Sequence, residues 1–214
     1  MKDIAIYGFG GFGREVACLI RHLNAVKPEW NVVGFFDDEV KQGTECKYGR
    51  VLGDFNTLNA WDKPLSVVIA IGSVKSLTDI LDRITNPKVD FPNLIAPNCF
   101  FFDEDTVSMG KGNVITFGCR LSCDVQIGDF NIMNGCVSLG HDVTLGSYNL
   151  LLPETRISGQ VIIGDRNYFG AKSFVMQTVK IGNDNRFGAG SFVFRKIKDG
   201  GLYMGNPLKK VSIE

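Results

Sequence analysis

The stretch VQIGDFNIMNGCVSLGHDVTLG, Val125 to Gly146, begins to repeat before it ends: Val125, Ile127 and Gly128 return as Val143, Leu145 and Gly146. Working outward, valine recurs at 107, 125, 143, 161 and 179. An aliphatic residue followed by glycine starts at Met109, Ile127, Leu145, Ile163 and Ile181, and asparagine stands at 113, 131, 149, 167 and 185. The period is 18 residues, and within it large apolar residues recur every six. Ile115, Met133, Leu151, Phe169 and Phe187 form one column, and Leu121, Leu139, Ile157, Val175 and Val193 another. Three six-residue faces make one coil, so the chain is predicted to wind as a triangular prism whose inward columns stack coil on coil. Five coils are expected from about Val107 to Lys196. The glycine after each aliphatic residue, and the asparagine beyond it, suit corners where the backbone needs left-handed or turn conformations. A sandwich of short strands does not account for five asparagines in phase.

Residues 1–93 follow a different rule. In IAIYGFGGFGREVACLI (Ile4–Ile20) a short apolar run ends in Gly8, Gly10 and Gly13, matching G-x-G-x-x-G, and a helical apolar period follows. Strands are predicted at Ile4–Tyr7, Val32–Asp38 and Val67–Ser73, with helices at Gly13–Leu23 and through Leu77, Ile80, Leu81 and Ile84. This is a small Rossmann-like βαβαβ domain, and ligands on such sheets sit beyond the carboxyl ends of the strands. The Gly8–Gly13 loop, Asp37, Asp38, Gly72 and Ser73 would gather there. The domains are expected to be 1–93 and 94–214.

Lys plus Arg and Asp plus Glu balance at 23 each, and no basic run stands out, so neither nucleic acid nor an anionic membrane is an expected partner. No window approaches the roughly 20 apolar residues of a membrane helix, and the four-residue apolar run after Asp3 is far short of a signal segment. A cytoplasmic location is expected. The six cysteines contain no C-x-x-C pair and only two histidines are present, so reduced thiols and no metal site are expected.

With IYGFGGFGREV, FFDD, VVIAIGS, NGCVSLGHDVTLG and YMGNP in this order, the chain resembles the sugar O-acyltransferases associated with sialic acid. These are hexapeptide-repeat enzymes that include acetyltransferases of nucleotide-linked 4-amino sugars. The resemblance implies a left-handed parallel β-helix, acetyl-CoA as acyl donor, and a homotrimer with each active site between neighbouring prisms. It implies that Gly10, Gly11, Phe12, Asp37 and Asp38 hold the nucleotide part of the acceptor. Backbone N–H groups at a helix start attract a diphosphate, so the glycine motif keeps its physics while its ligand changes from NAD. A single βαβαβ unit is half of a full dinucleotide fold, which ranks an NAD-dependent oxidoreductase well below the acetyltransferase.

Acetyl transfer from a thioester to an amine needs a group that takes a proton, and imidazole suits this near neutral pH. His22 falls late in the first helix beside Arg21, where a surface role is expected. His141 lies at a coil corner and is followed by Asp142. Adjacent residues on an extended chain point to opposite faces, so a direct bond between these two requires the corner to bend the backbone. In the resembling family the matching histidine is the general base, its acidic neighbour raises its basicity, and Asn134 matches the motif as an orienting residue. Coenzyme A is implied along a groove between prisms, past Gly170, Ala171, Gly188 and Ala189, with Lys209 near its phosphates. The family's second histidine, near the thioester carbonyl, is replaced here by Leu150 in LLLPET, with Glu154 in place of a glycine. Asn149 or backbone N–H groups are candidate substitutes for that donor. The expected function is acetyl transfer from acetyl-CoA to the amine, or in second place a hydroxyl, of a nucleotide-activated sugar for surface glycan synthesis; the rival function is a noncatalytic trimeric sugar-nucleotide-binding protein.

Overall fold

A computed structural model describes residues 1–212, which form two compact units divided between Pro97 and Asn98. In the first unit the elements are β1 (Lys2–Tyr7), α1 (Gly11–Val26), β2 (Trp30–Phe36), β3 (Glu45–Cys46), β4 (Gly49–Gly53), α2 (Phe55–Asn59), β5 (Leu65–Ile69), α3 (Val74–Arg83) and β6 (Val89–Asp90). The sheet order is β3-β4-β2-β1-β5-β6, parallel except for the β3–β4 hairpin. Ile4, Ala5 and Ile6 at the sheet centre are fully buried, as expected of a parallel strand covered on both faces, and α1 packs Val16, Ala17, Leu19 and Ile20 inward. The predicted strands and helices are all present. β2 and β5 stop earlier than expected because polar side chains end them: Asp37 accepts from the N–H groups of Glu39 and Val40, and Ser73 caps α3. β3, β4, α2 and β6, of two to five residues each, are too short to leave a period.

The second unit is the predicted prism, a left-handed parallel β-helix. One face stacks Phe100–Phe101, Arg120–Leu121, Ser138–Leu139, Arg156–Ile157, Phe174–Val175 and Phe192–Val193 in parallel register. A second stacks Ser108–Met109, Gln126–Ile127, Thr144–Leu145, Ile162–Ile163 and Lys180–Ile181. The third runs from Val114–Ile115 through Ile132–Met133, Leu150–Leu151, Tyr168–Phe169 and Arg186–Phe187 to Leu202–Met204. Every residue of the two predicted apolar columns is buried. Coiling extends beyond the predicted limits at both ends. Phe101 pairs with Leu121, 20 residues on, because a short 3-10 turn at Glu104–Thr106 lengthens that coil. At the other end Arg186 pairs with Leu202, only 16 on. Both coils are out of phase with the 18-residue period and so invisible to it.

The corners correct the sequence reading. Eleven non-glycine residues have positive φ, from Asp124 through Phe130, Cys136 and Asp142 to Asp184, one every six residues. These left-handed positions are neither the glycine after the aliphatic residue nor the asparagine. At ten of them the N–H donates to the carbonyl 19 residues back, as Phe130 does to Lys111 and Asp142 to Cys123. The glycine is needed for close stacking instead: a Cβ on Gly146 would lie 2.7 Å from the Gly164 carbonyl oxygen of the next coil. The asparagines form a fully buried ladder. From Asn113 to Asn167 each Oδ1 accepts from both the backbone N–H and Nδ2 of the asparagine one coil on, at 2.8–3.1 Å, and the Oδ1 of Asn185 accepts from the Gly201 N–H. Replacing Asn149 by alanine would leave the N–H of Asn167 without its acceptor at a site water does not reach. Asn149→Ala is expected to lower stability by about 2–5 kcal/mol, read from the urea-unfolding midpoint.

Candidate active site

Asp142 occupies one of the left-handed corners, with φ of 56°, and this bends the chain enough for adjacent side chains to meet. The His141 Nδ1 lies 2.7 Å from Asp142 Oδ2. A carboxylate can only accept, so Nδ1 donates in this contact, and in the neutral ring Nε2 keeps its lone pair. Both side chains are about half exposed, at 48% and 54%. The main chain around them is tied to the coils on either side, with Asp142 N–H donating to the Cys123 carbonyl and the Gln160 N–H to that of His141. The imidazole lies across Gly159, 18 residues on, where a Cβ would stand 2.5 Å from Nε2. Gly159 was not singled out in the sequence. Counting one period on from the histidine finds it. His22, on α1, is exposed.

The other candidate residues of the prism fall at separate places. Asn134 is half-buried at the preceding corner, separated from His141 by the strand Ser138–Leu139, and stands outside the asparagine ladder. Asn149 cannot replace the missing donor, since its amide is fully buried and bonded within the ladder. Leu150 is 1% exposed, so its side chain offers no surface to coenzyme A within this chain. Gly170 is buried against the Ala189 N–H of the next coil, where a Cβ would lie 2.5 Å away, so stacking alone requires it. Ala171 is half-buried, Gly188 half-buried and Ala189 exposed along the same corner. Lys209 is exposed in a closing hairpin with Met204. Glu154 has φ of 63° and projects outward instead of crowding the coil.

In the first unit, Gly8 and Gly13 are fixed by packing: a Cβ on Gly13 would lie 1.9 Å from the Gly8 carbonyl oxygen, and Gly8 has φ of 115°. Gly10 and Gly11 differ, because a Cβ on either meets nothing within 4 Å. The fold leaves them open. Gly10 is the N-cap of α1 and brings no side chain to the first-turn N–H groups, which include that of Phe12. Asp37 and Asp38 are committed to bracing this loop. Asp37 Oδ2 accepts from the Phe9 N–H at 2.8 Å, while Asp38 accepts from Tyr7 Oη, the Phe55 N–H and Arg83. Burial, then the bond to Asp38, push the Tyr7 phenol far above its ordinary range, so it stays a neutral donor. Gly72 is exposed, and Ser73 is the N-cap of α3. α1 and α3 both begin beyond the carboxyl ends of adjacent strands, β1 and β5.

Residues 3–84 match the family model described as the PglD N-terminal domain. Over the whole chain the fold is that of the acetyltransferase domain of PglB from Neisseria gonorrhoeae FA1090, at 25% identity and a TM-score of 0.88, covering 99% of this chain and 100% of that one. PerB from Caulobacter crescentus, solved with CoA and GDP-perosamine, is 26% identical with a TM-score of 0.86 and coverage of 99% and 98%. WeeI from Acinetobacter baumannii AYE has the same fold, at 24% identity, a TM-score of 0.88 and coverage of 99% and 100%. No curated protein sequence gives a significant match. The resemblance to sugar acetyltransferases read from the motifs is supported along both units. No helix among the described residues is long and apolar enough to cross a membrane.

Gly159→Ala isolates the placement of the imidazole from the stability of the coil. The obstructed atoms are the end of a half-exposed side chain, so unfolding stability is expected to change by less than about 1 kcal/mol. The imidazole should swing off Asp142, which a crystal structure or the side-chain ¹⁵N resonances of His141 would register.

Proposed function

We propose that this protein is an acetyl-CoA-dependent acetyltransferase that acetylates the amine of a nucleotide-linked sugar, with His141 as general base. The observation that carries the reading is the His141–Asp142 pair: a 2.7 Å contact on an exposed corner, with Nε2 free of the carboxylate and the ring lying over a glycine. PglB is described as an acetyltransferase domain, and PerB holds CoA together with GDP-perosamine, which supports the same donor and acceptor class here. A homotrimer follows from the family resemblance and belongs to the proposal.

In this mechanism the acceptor amine gives a proton to Nε2 as its nitrogen attacks the thioester carbonyl. Asp142 holds the imidazole in the required tautomer and favours the imidazolium that forms. Collapse of the tetrahedral adduct breaks the C–S bond, and the proton on Nε2 passes to the departing thiolate, leaving the amide, CoA and neutral histidine. Asn134 is assigned an orienting role. The nucleotide end of the acceptor is assigned to the N–H groups at the start of α1, reached over Gly10 and Gly11, with Asp37 and Asp38 shaping the loop. Gly72 and Ser73 border that site through the start of α3. Ala171, Gly188, Ala189 and Lys209 are assigned to the CoA path.

His141→Ala is expected to lower kcat by about 10²- to 10⁴-fold in a thiol-release assay with acetyl-CoA and a panel of nucleotide-linked amino sugars. Turnover that survives the substitution removes His141 from the role. Saturable nucleotide-sugar binding by the unaltered protein with no turnover favours the noncatalytic rival. Gly11→Ala separates binding from folding: alanine in a helix is about 0.5–1 kcal/mol more favourable than glycine, so the thermal midpoint should hold or rise. The KM for the sugar nucleotide should rise while that for acetyl-CoA stays unchanged.

A further inference from the structure

Arg120, Ser138 and Arg156 are in register on three consecutive strands of one prism face. Neighbouring parallel strands lie about 4.8 Å apart, which sets the two arginines about 10 Å apart with a hydroxyl between them. With Phe102, Cys136 and Glu154 they line a groove of about 330 Å³. Both arginines are exposed, and neither takes part in an ion pair among the described residues, whereas Arg83 and Arg166 do. Glu154, the one carboxylate in the groove, faces Lys172 at 3.8 Å.

Ser138 and Arg156 stand close to the candidate base along the chain. Ser138 precedes His141 by three residues, and Arg156 precedes Gly159, beneath the imidazole, by three. Three extended residues reach about 10 Å. Phe102, 70% exposed and edge-on to Phe100 at 5.0 Å, offers a flat apolar wall at one side.

We propose that this groove is an oxyanion subsite that receives an anionic group carried near the sugar ring of the acceptor, a sugar-linked phosphate or a ring carboxylate. The proposal rests on the acetyl-transfer reading for the identity of the acceptor, while the subsite itself rests on the two unpaired guanidiniums. Guanidinium forks match phosphate and carboxylate oxygens, and Ser138 can donate a further bond between them. The phosphates of CoA do not fit the position, since the full pantetheine arm separates them from the thioester.

The test is calorimetric titration of the full chain at low salt with inorganic pyrophosphate and, separately, with glucuronate, each with and without saturating CoA. Saturable binding of at least one probe is expected, and which one binds tells phosphate from carboxylate. Binding should weaken about tenfold or more in Arg120→Gln and in Arg156→Gln, and should persist with CoA bound. Binding of neither probe, binding unchanged in both variants, or displacement by CoA would overturn the proposal. So would loss of the native oligomer in the variants by light scattering, which would assign the arginines to a contact between copies. None of these readouts requires turnover, so an inactive protein that binds as expected counts against the transferase reading and leaves the subsite standing.

Discussion

Stacking of one coil on the next governs the prism. Backbone groups in register bond across coils, and each buried asparagine from Asn131 to Asn185 donates to the coil before it and accepts from the coil after it. A buried amide left unmatched costs about 1–3 kcal/mol, so the asparagine column admits few substitutes. The same stacking holds the corners. Non-glycine residues at positive φ cost about 1–3 kcal/mol each, and here each recurring one is held by a hydrogen bond from its own N–H to the previous coil.

That constraint reaches the candidate chemistry directly. His141 and Asp142 are neighbours in sequence and would diverge on a straight strand. The positive φ of Asp142, imposed by the six-residue rhythm of the corners, closes them to 2.7 Å. Stacking also places Gly159 under the ring, so the coil that carries the base and the coil that leaves it room are one period apart. In the first unit the division is similar. Gly8 and Gly13 satisfy the packing of strand against helix, which frees Gly10 and Gly11 to leave the start of α1 uncovered.

The departures from the motif pattern also have physical form. Leu150 is a buried apolar side chain at the position where the motif pattern carries a polar one, and Asn149 beside it is already engaged in the ladder. Arg120 and Arg156 add charge on a neighbouring face, in a column that also holds Ser138 and is aromatic toward its ends, at Phe100, Phe174 and Phe192.

Period and composition alone determined the three-sided coil, its inward columns and the strand–helix alternation of the first unit, because those patterns repeat at fixed spacing along the chain. The candidate base was legible too, as one of two histidines set beside a carboxylate in a corner motif. Only the tertiary structure decided which corner residues turn left-handed, why the recurring glycine is small, that Asp37 and Asp38 brace their own loop, and that Leu150 is sealed from solvent. Each of these depends on what lies one coil or one strand away, a neighbour that spacing along the chain does not name.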